Sequence, residues 1–172
     1  MIEFSRSIES QQTRVDRTIS KRTKNSYRFE ANFAKRCSRK GWIVVPGNVL
    51  ATYLLGPQDL RNAYFRKNSK LINKAINIAG LEEPLISFLE EHLCEPSDDY
   101  PDELLKVYGL PDFIILTPFD VRPFWVEVKS GSSKMSPRQR LIKSLLENIG
   151  FRVLIYLGGR ISTFEKQLRN AH

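Results

Sequence analysis

The sequence is short of cysteine, of long apolar runs and, over one stretch, of any positive charge. Its only two cysteines, Cys37 and Cys94, stand far apart, without the paired spacing of a zinc site or the density of a disulfide framework. Both are read as ordinary thiols. No apolar run approaches the roughly 20 residues that cross a bilayer. The opening residues MIEFSRSIESQQTR also lack the apolar stretch of a secretion signal. The expectation is a soluble, intracellular protein with no membrane partner. There are no internal repeats and no low-complexity tract. With 41% hydrophobic and 10% aromatic residues in 172, the composition excludes wholesale disorder and suits one globular domain.

Between residues 75 and 105 there is no Lys or Arg, against nine acidic residues. Residues 1–74 carry sixteen basic and five acidic side chains, and residues 106–172 carry eleven and five. Two basic segments thus flank an acidic one, within a chain of net charge +8 and pI near 9.6. A polyanion is the implied partner, with the basic segments on its side and the acidic segment turned away. A basic protein with one solvated acidic helix face is the plainer alternative.

Residues 1–24 have no sustained apolar period and end in Lys21-Arg22-Thr23-Lys24, so a tail or frayed helix is expected, either laid on phosphates or simply solvated. Residues 25–172 then form one domain. Asn25 and Ser26 can cap a helix over about 26–40, with Phe29, Phe33 and Cys37 on its apolar face and Gly41 as its C′ residue. Trp42–Val45 reads as a short strand stopped by Pro46-Gly47. The stretch of about 48–108 reads as a helical insertion. Leu71, Ala75, Ile78 and Ala79 mark one helix in it, Leu85, Phe88 and Leu89 another, and a short helix is expected around Asp102–Tyr108.

After Gly109 the pattern changes to strands. Phe113–Leu116 and Phe124–Val128 are joined by Thr117–Pro123, a hairpin. Ser136, Pro137 and Gln139 then form a capping box at the start of a helix that Gly150 closes. Arg152–Leu157 is another strand and Ile161–Arg169 a last helix. This order predicts an α/β fold, a mixed sheet with helices on both faces.

The chemistry is concentrated in the hairpin. Glu127 and Lys129, two apart on a strand, leave the same face. A turn near 120–121 puts Asp112 across from Lys129 and diagonal to Glu127, roughly 5 to 8 Å away, close enough for one cation to bridge both carboxylates. Phosphodiester cleavage needs an activated water and neutralisation of developing charge. Asp112 and Glu127 would hold Mg²⁺, with Mn²⁺ as a substitute and the Val128 carbonyl as a further ligand, while Lys129 orients the water. An isolated Glu-x-Lys on a strand is most often an ion pair, and Pro-Asp before a strand most often a turn. Their conjunction on two hydrophobic strands makes chance placement costly.

The run GLPDFIIL, FWVEVKSG and MSPRQRLIKSLLENIGFRVLIYL resembles the PD-(D/E)xK nuclease superfamily. It is similar in particular to virus-type replication-repair nuclease (VRR-Nuc) domains and archaeal Holliday-junction resolvases. The likeness covers about 109–157 closely and 26–45 more loosely. It implies a restriction-endonuclease-like fold, metal ligands at Asp112 and Glu127, and a catalytic lysine at Lys129. It also implies a supporting carboxylate at Glu30 and a site glutamine at Gln139, a role compatible with the capping box. The segment from Val45 to Gly109 is longer than that pattern has, whence the helical insertion.

The implied activity is structure-selective DNA endonuclease cleavage in replication, recombination or repair, in a microbe or a virus-infected host cell. A restriction-type endonuclease, or a nucleic-acid-binding module with a vestigial site, is the alternative, and RNA is not separated from DNA by sequence. DNA contacts are expected from Lys21, Arg22, Lys24, Arg66, Lys67 and Lys70, and around the capped helix from Lys134, Arg138 and Arg140. A homodimer would suit a two-fold symmetric junction.

Overall fold

A hydrophobic strand with apolar residues on both faces must be covered on both, and the four strands among the described residues are of that kind. The computed structural model describes residues 25–57, 63–94 and 104–170. Its strands are β1 (Ile43–Pro46), β2 (Phe113–Thr117), β3 (Asp120–Val128) and β4 (Val153–Tyr156). They form one sheet in the order β1-β2-β3-β4. The first three are antiparallel neighbours, and β3 pairs with β4 in parallel. The helices are α1 (25–39), α2 (Gly47–Leu55), α3 (Ala63–Ile78), α4 (Glu82–His92), α5 (Pro137–Asn148) and α6 (Ile161–Asn170). The architecture is mixed α/β, a four-stranded mixed sheet flanked by helices.

Each face has its own core. Val45, Ile114, Trp125 and Val153 pack beneath α2, α3, α4 and α5, through residues such as Leu50, Ile72, Leu85 and Ile142. On the other face Val44, Phe113, Ile115, Phe124, Val126 and Tyr156 meet α1 and α6. Phe33 of α1 is 1% exposed and lies among three rings, 4.6 Å from Tyr156 and 5.9 Å from both Phe113 and Phe164.

Local signals act where they were expected. Gly41 and Gly150 have φ of +77° and +107°, where a side chain is strained. The residue after each donates its N–H five residues back, Trp42 to Cys37 and Phe151 to Leu146, which ends the helix in a Schellman turn. Ser136 Oγ accepts from Gln139 N at 3.1 Å and the Gln139 side chain accepts from Ser136 N at 2.9 Å, closing the capping box.

Two expectations are corrected. Residues 104–107 are not helical: Leu105 N donates to Thr52 Oγ1 and Lys106 O accepts from Cys94 N. With its amide and carbonyl groups taken by α2 and by the chain after α4, this segment runs across the insertion, and Val107 is buried beneath it. The hairpin turns at Pro118-Phe119 rather than near 120–121, because Thr117 pairs with Asp120 after an irregularity between Ile115 and Thr117. Asp120–Pro123 therefore belong to β3. Pro123 is tolerated there because pairing with β4 begins only at Trp125.

The expected tail of residues 1–24 lies outside the described residues. Among the described residues no helix is long and apolar enough to cross a membrane.

Truncation of Phe33 to Ala should cost about 3–5 kcal/mol in urea denaturation, the range for a large buried ring. Ile78→Glu, at a position 74% exposed, should change stability by less than about 0.5 kcal/mol. Similar midpoints for the two variants would contradict this packing.

Candidate active site

The C-terminal end of β3 leaves the hydrophobic sheet with a charge on it. Glu127 shares its face with Trp125 and is 2% exposed, while Lys129 follows just beyond the strand. Lys129 N still donates to Tyr156 O at 2.8 Å, so the ladder with β4 holds the backbone of that residue. Ionised groups at such depth are costly without partners.

Asp112 is brought to Glu127 by the observed register. Phe113 pairs with Val126, so the residue before it falls level with Glu127 and not with Lys129 as expected. The offset from the expected register is two residues. In a strand of period two that preserves the face, whereas an offset of one would have reversed it. Two backbone amides fix Asp112: Val128 N donates to its Oδ2 at 2.7 Å, and Gly47 N to its carbonyl at 2.9 Å. Gly47 was read from sequence only as a strand stop. Here it admits the close approach of β1 to Pro111, whose carbonyl would lie 2.5 Å from a Cβ at position 47.

Gln139 ties α5 to this point. Its Nε2 donates to Glu127 Oε1 at 2.5 Å, and its Oε1 accepts from Lys129 Nζ at 3.0 Å as well as from Ser136 N. Lys129 Nζ also pairs with Glu127 Oε1 at 2.8 Å. The capping role and the site contact thus coexist in one side chain. Two neighbours, Gln139 and Lys129, thus meet Oε1 of Glu127, yet its other oxygen, Oε2, is buried with no hydrogen-bond partner.

Burial dominates the electrostatics. It pushes the Asp112 carboxyl up to about 7, helped by the negative charges of Glu127 and Glu30 and opposed by the Val128 amide and Lys129. Burial also raises Glu127, opposed chiefly by its contacts with Lys129. Two acids held level and partly dehydrated thus hold a proton more readily than free carboxylates, and a cation would compete for it.

Glu30 is placed differently from the other four. It accepts from Ser26 Oγ at 2.9 Å and faces a cavity that Asp112 also lines. Its charge is felt by both acids. Among the described residues, however, no group of three or more His, Cys, Asp and Glu is gathered into a metal cage. The donors at hand are Asp112 and Glu127, with the Val128 carbonyl next in the chain. Mg²⁺ is commonly held by one or two carboxylates, several waters and a substrate phosphate, so this set and the orphaned Oε2 fit it.

Compared with protein-family models, with curated proteins and with solved structures, the chain matches none.

The basic residues divide. Arg66, Lys67, Lys70 and Lys74 lie on the exposed side of α3, and Lys134 is exposed before α5. Arg138 Nε donates to Tyr108 O at 3.2 Å and Arg140 to Met135 O at 2.8 Å, so both side chains also brace local backbone. α3 and α5 cover the sheet face that bears Glu127, but acidic α4 packs on that face too. Lys21, Arg22 and Lys24 lie outside the described residues.

The raised Asp112 has a stability consequence without metal. Between its ordinary 3.8 and about 7 the folded chain binds the extra proton. Its stabilising contribution is therefore full below that window and is lost as pH rises through it. Asp112→Asn keeps an acceptor for Val128 N and removes the charge. In metal-free buffer it should melt several degrees above the parent at pH 8, with the gap narrowing as pH falls through 7 and closing only below about 4, as thermal scans would show. Equal melting at pH 8 would sink this account of the site.

Proposed function

We propose that this chain is a Mg²⁺-dependent phosphodiesterase that cuts DNA internally, a PD-(D/E)xK-type nuclease with a restriction-endonuclease-like sheet and a helical insertion. What carries the reading is Asp112 level with Glu127, Lys129 bonded to the same carboxylate, and a buried Glu127 oxygen without a partner. A stabilising ion pair alone accounts for Glu127 and Lys129. It leaves unexplained why a second carboxylate is clamped beside them.

Asp112 and Glu127 would hold Mg²⁺, with the Val128 carbonyl as a further donor. Bound there, the ion supplies Lewis acidity and a water of lowered pKa. Lys129 then presents its ammonium to the attacking oxygen and to the charge that builds on the phosphate, where a fixed cation stabilises the transition state more than the ground state. Gln139 holds that ammonium and Glu127 in register, as a positioning residue. Glu30, across the cavity, adds negative charge that raises the cost of leaving the two ligands ionised and unpaired. The exposed cations of α3, a helix that packs on the sheet face bearing Glu127, and exposed Lys134 before α5 suit the phosphates flanking the cut.

Labelled duplexes, flaps, single strands and four-way junctions should be cut with Mg²⁺ or Mn²⁺ and left intact with chelator. Lys129→Ala should lower the rate about 100- to 1,000-fold. Gln139→Ala should lower it about 10- to 100-fold, as for residues that orient a metal site. A Glu127→Ala protein that cuts at the parental rate, or cutting that survives chelation, would refute the proposal.

A further inference from the structure

Beside Asp112 the chain leaves a cavity of about 470 Å³. Its walls come from α1, the β1–α2 junction, the start of α3 and the chain leading into β2, so it opens at the end of the sheet that bears the candidate site. Tyr27, Phe65, Leu104 and Leu110 give it an apolar lining, and its charged groups are the carboxylates of Glu30 and Asp112. Among the described residues no Lys, Arg or His lines it. Tyr27 is 67% exposed although it is aromatic.

We propose that this cavity receives the base of an unpaired nucleotide next to the phosphate being cut, with Tyr27 and Phe65 as its apolar walls. This rests on the nuclease reading above and adds a binding site to it. A phosphate is the wrong occupant, because among the described residues two carboxylates and no cation meet it. A nucleobase is flat, uncharged and largely apolar on its faces, and its exocyclic amino and ring N–H groups donate to carboxylates. It is also one sugar away from the phosphate that Asp112 and Glu127 would hold, so the backbone delivers it to this wall. A base inside a duplex cannot reach such a pocket without leaving its stack, and an unpaired one enters at lower cost. The cavity would therefore favour substrates with an unpaired nucleotide at the cut over continuous duplex.

The test is a cycle between base removal and pocket filling, using the full chain carrying Lys129→Ala to hold DNA uncut in Mg²⁺. Binding is measured to a branched oligonucleotide whose unpaired adenine beside the mapped cleavage position is either present or replaced by an abasic residue. The abasic change should weaken binding to the otherwise unaltered pocket about tenfold, the scale of one lost base–aromatic stack. It should cost less than about twofold once Ala31→Trp, from an exposed position on the cavity wall, fills the space. Tyr27→Ala should shrink the base-dependent difference and Tyr27→Phe should restore it. An abasic penalty that is absent, or unchanged by both Ala31→Trp and Tyr27→Ala, would overturn the pocket assignment. Mg²⁺-dependent cutting by the parent in that case leaves the nuclease reading standing. If the parent neither binds nor cuts DNA, both fall.

Discussion

A single clamp organises the candidate site: Asp112 is held between the Val128 amide, which reaches its carboxylate, and the Gly47 amide, which reaches its carbonyl. The first bond ties it to β3 and so to Glu127; the second ties it to the end of β1. Without the clamp, a carboxylate just outside β2 would swing toward water, where its charge is cheapest. Held in place, it faces a second buried acid, and the mutual repulsion is relieved only by a proton or a cation. Burial first, and that repulsion second, raise the affinity of Asp112 for its proton.

The rest of the fold serves this constraint from two sides. On one face α5 packs against the sheet through Ile142 and Leu146, which brings its capped N-terminus and Gln139 onto Glu127. On the other, α1 is anchored by Phe33 and Cys37 among the rings of β2, β4 and α6, and its first turns carry Glu30 and Tyr27 to the rim of the cavity. The insertion is not a loose appendage. α2 and α3 supply much of the core beneath Trp125, and the stretch after α4 crosses α2 by way of Thr52. Its removal would expose the part of that sheet face that α5 does not cover.

Legibility in the sequence followed the range of the forces involved. The helix ends at Gly41 and Gly150 and the capping box at Ser136 are settled within a few residues, so spacing alone predicts them. The short helix expected near Asp102–Tyr108 is not formed in its described part because Leu105 N donates to Thr52 and Lys106 O accepts from Cys94, partners distant in sequence that claim that backbone. The hairpin register was two residues off because Asp120, Val121, Arg122 and Pro123 resemble a loop while pairing as strand. Glu127, Lys129 and Asp112 were nonetheless picked out together, since the error was even and parity survives an even error. Tyr27 and Phe65 gave no sign of sharing a cavity; the first reads as surface and the second as one more apolar helix position.

The amino-acid sequence by itself determined the alternation of helices and strands, the two-sided hydrophobicity of the sheet and the pairing of Glu127 with Lys129 on one face, because each depends on residue type and local period. Only the tertiary structure decided that Asp112 stands level with Glu127, that one glutamine serves both a helix cap and a lysine, and that a carboxylate oxygen is buried without a partner. Those facts depend on where separate elements stop against one another. Packing sets that, through contacts that no local pattern encodes.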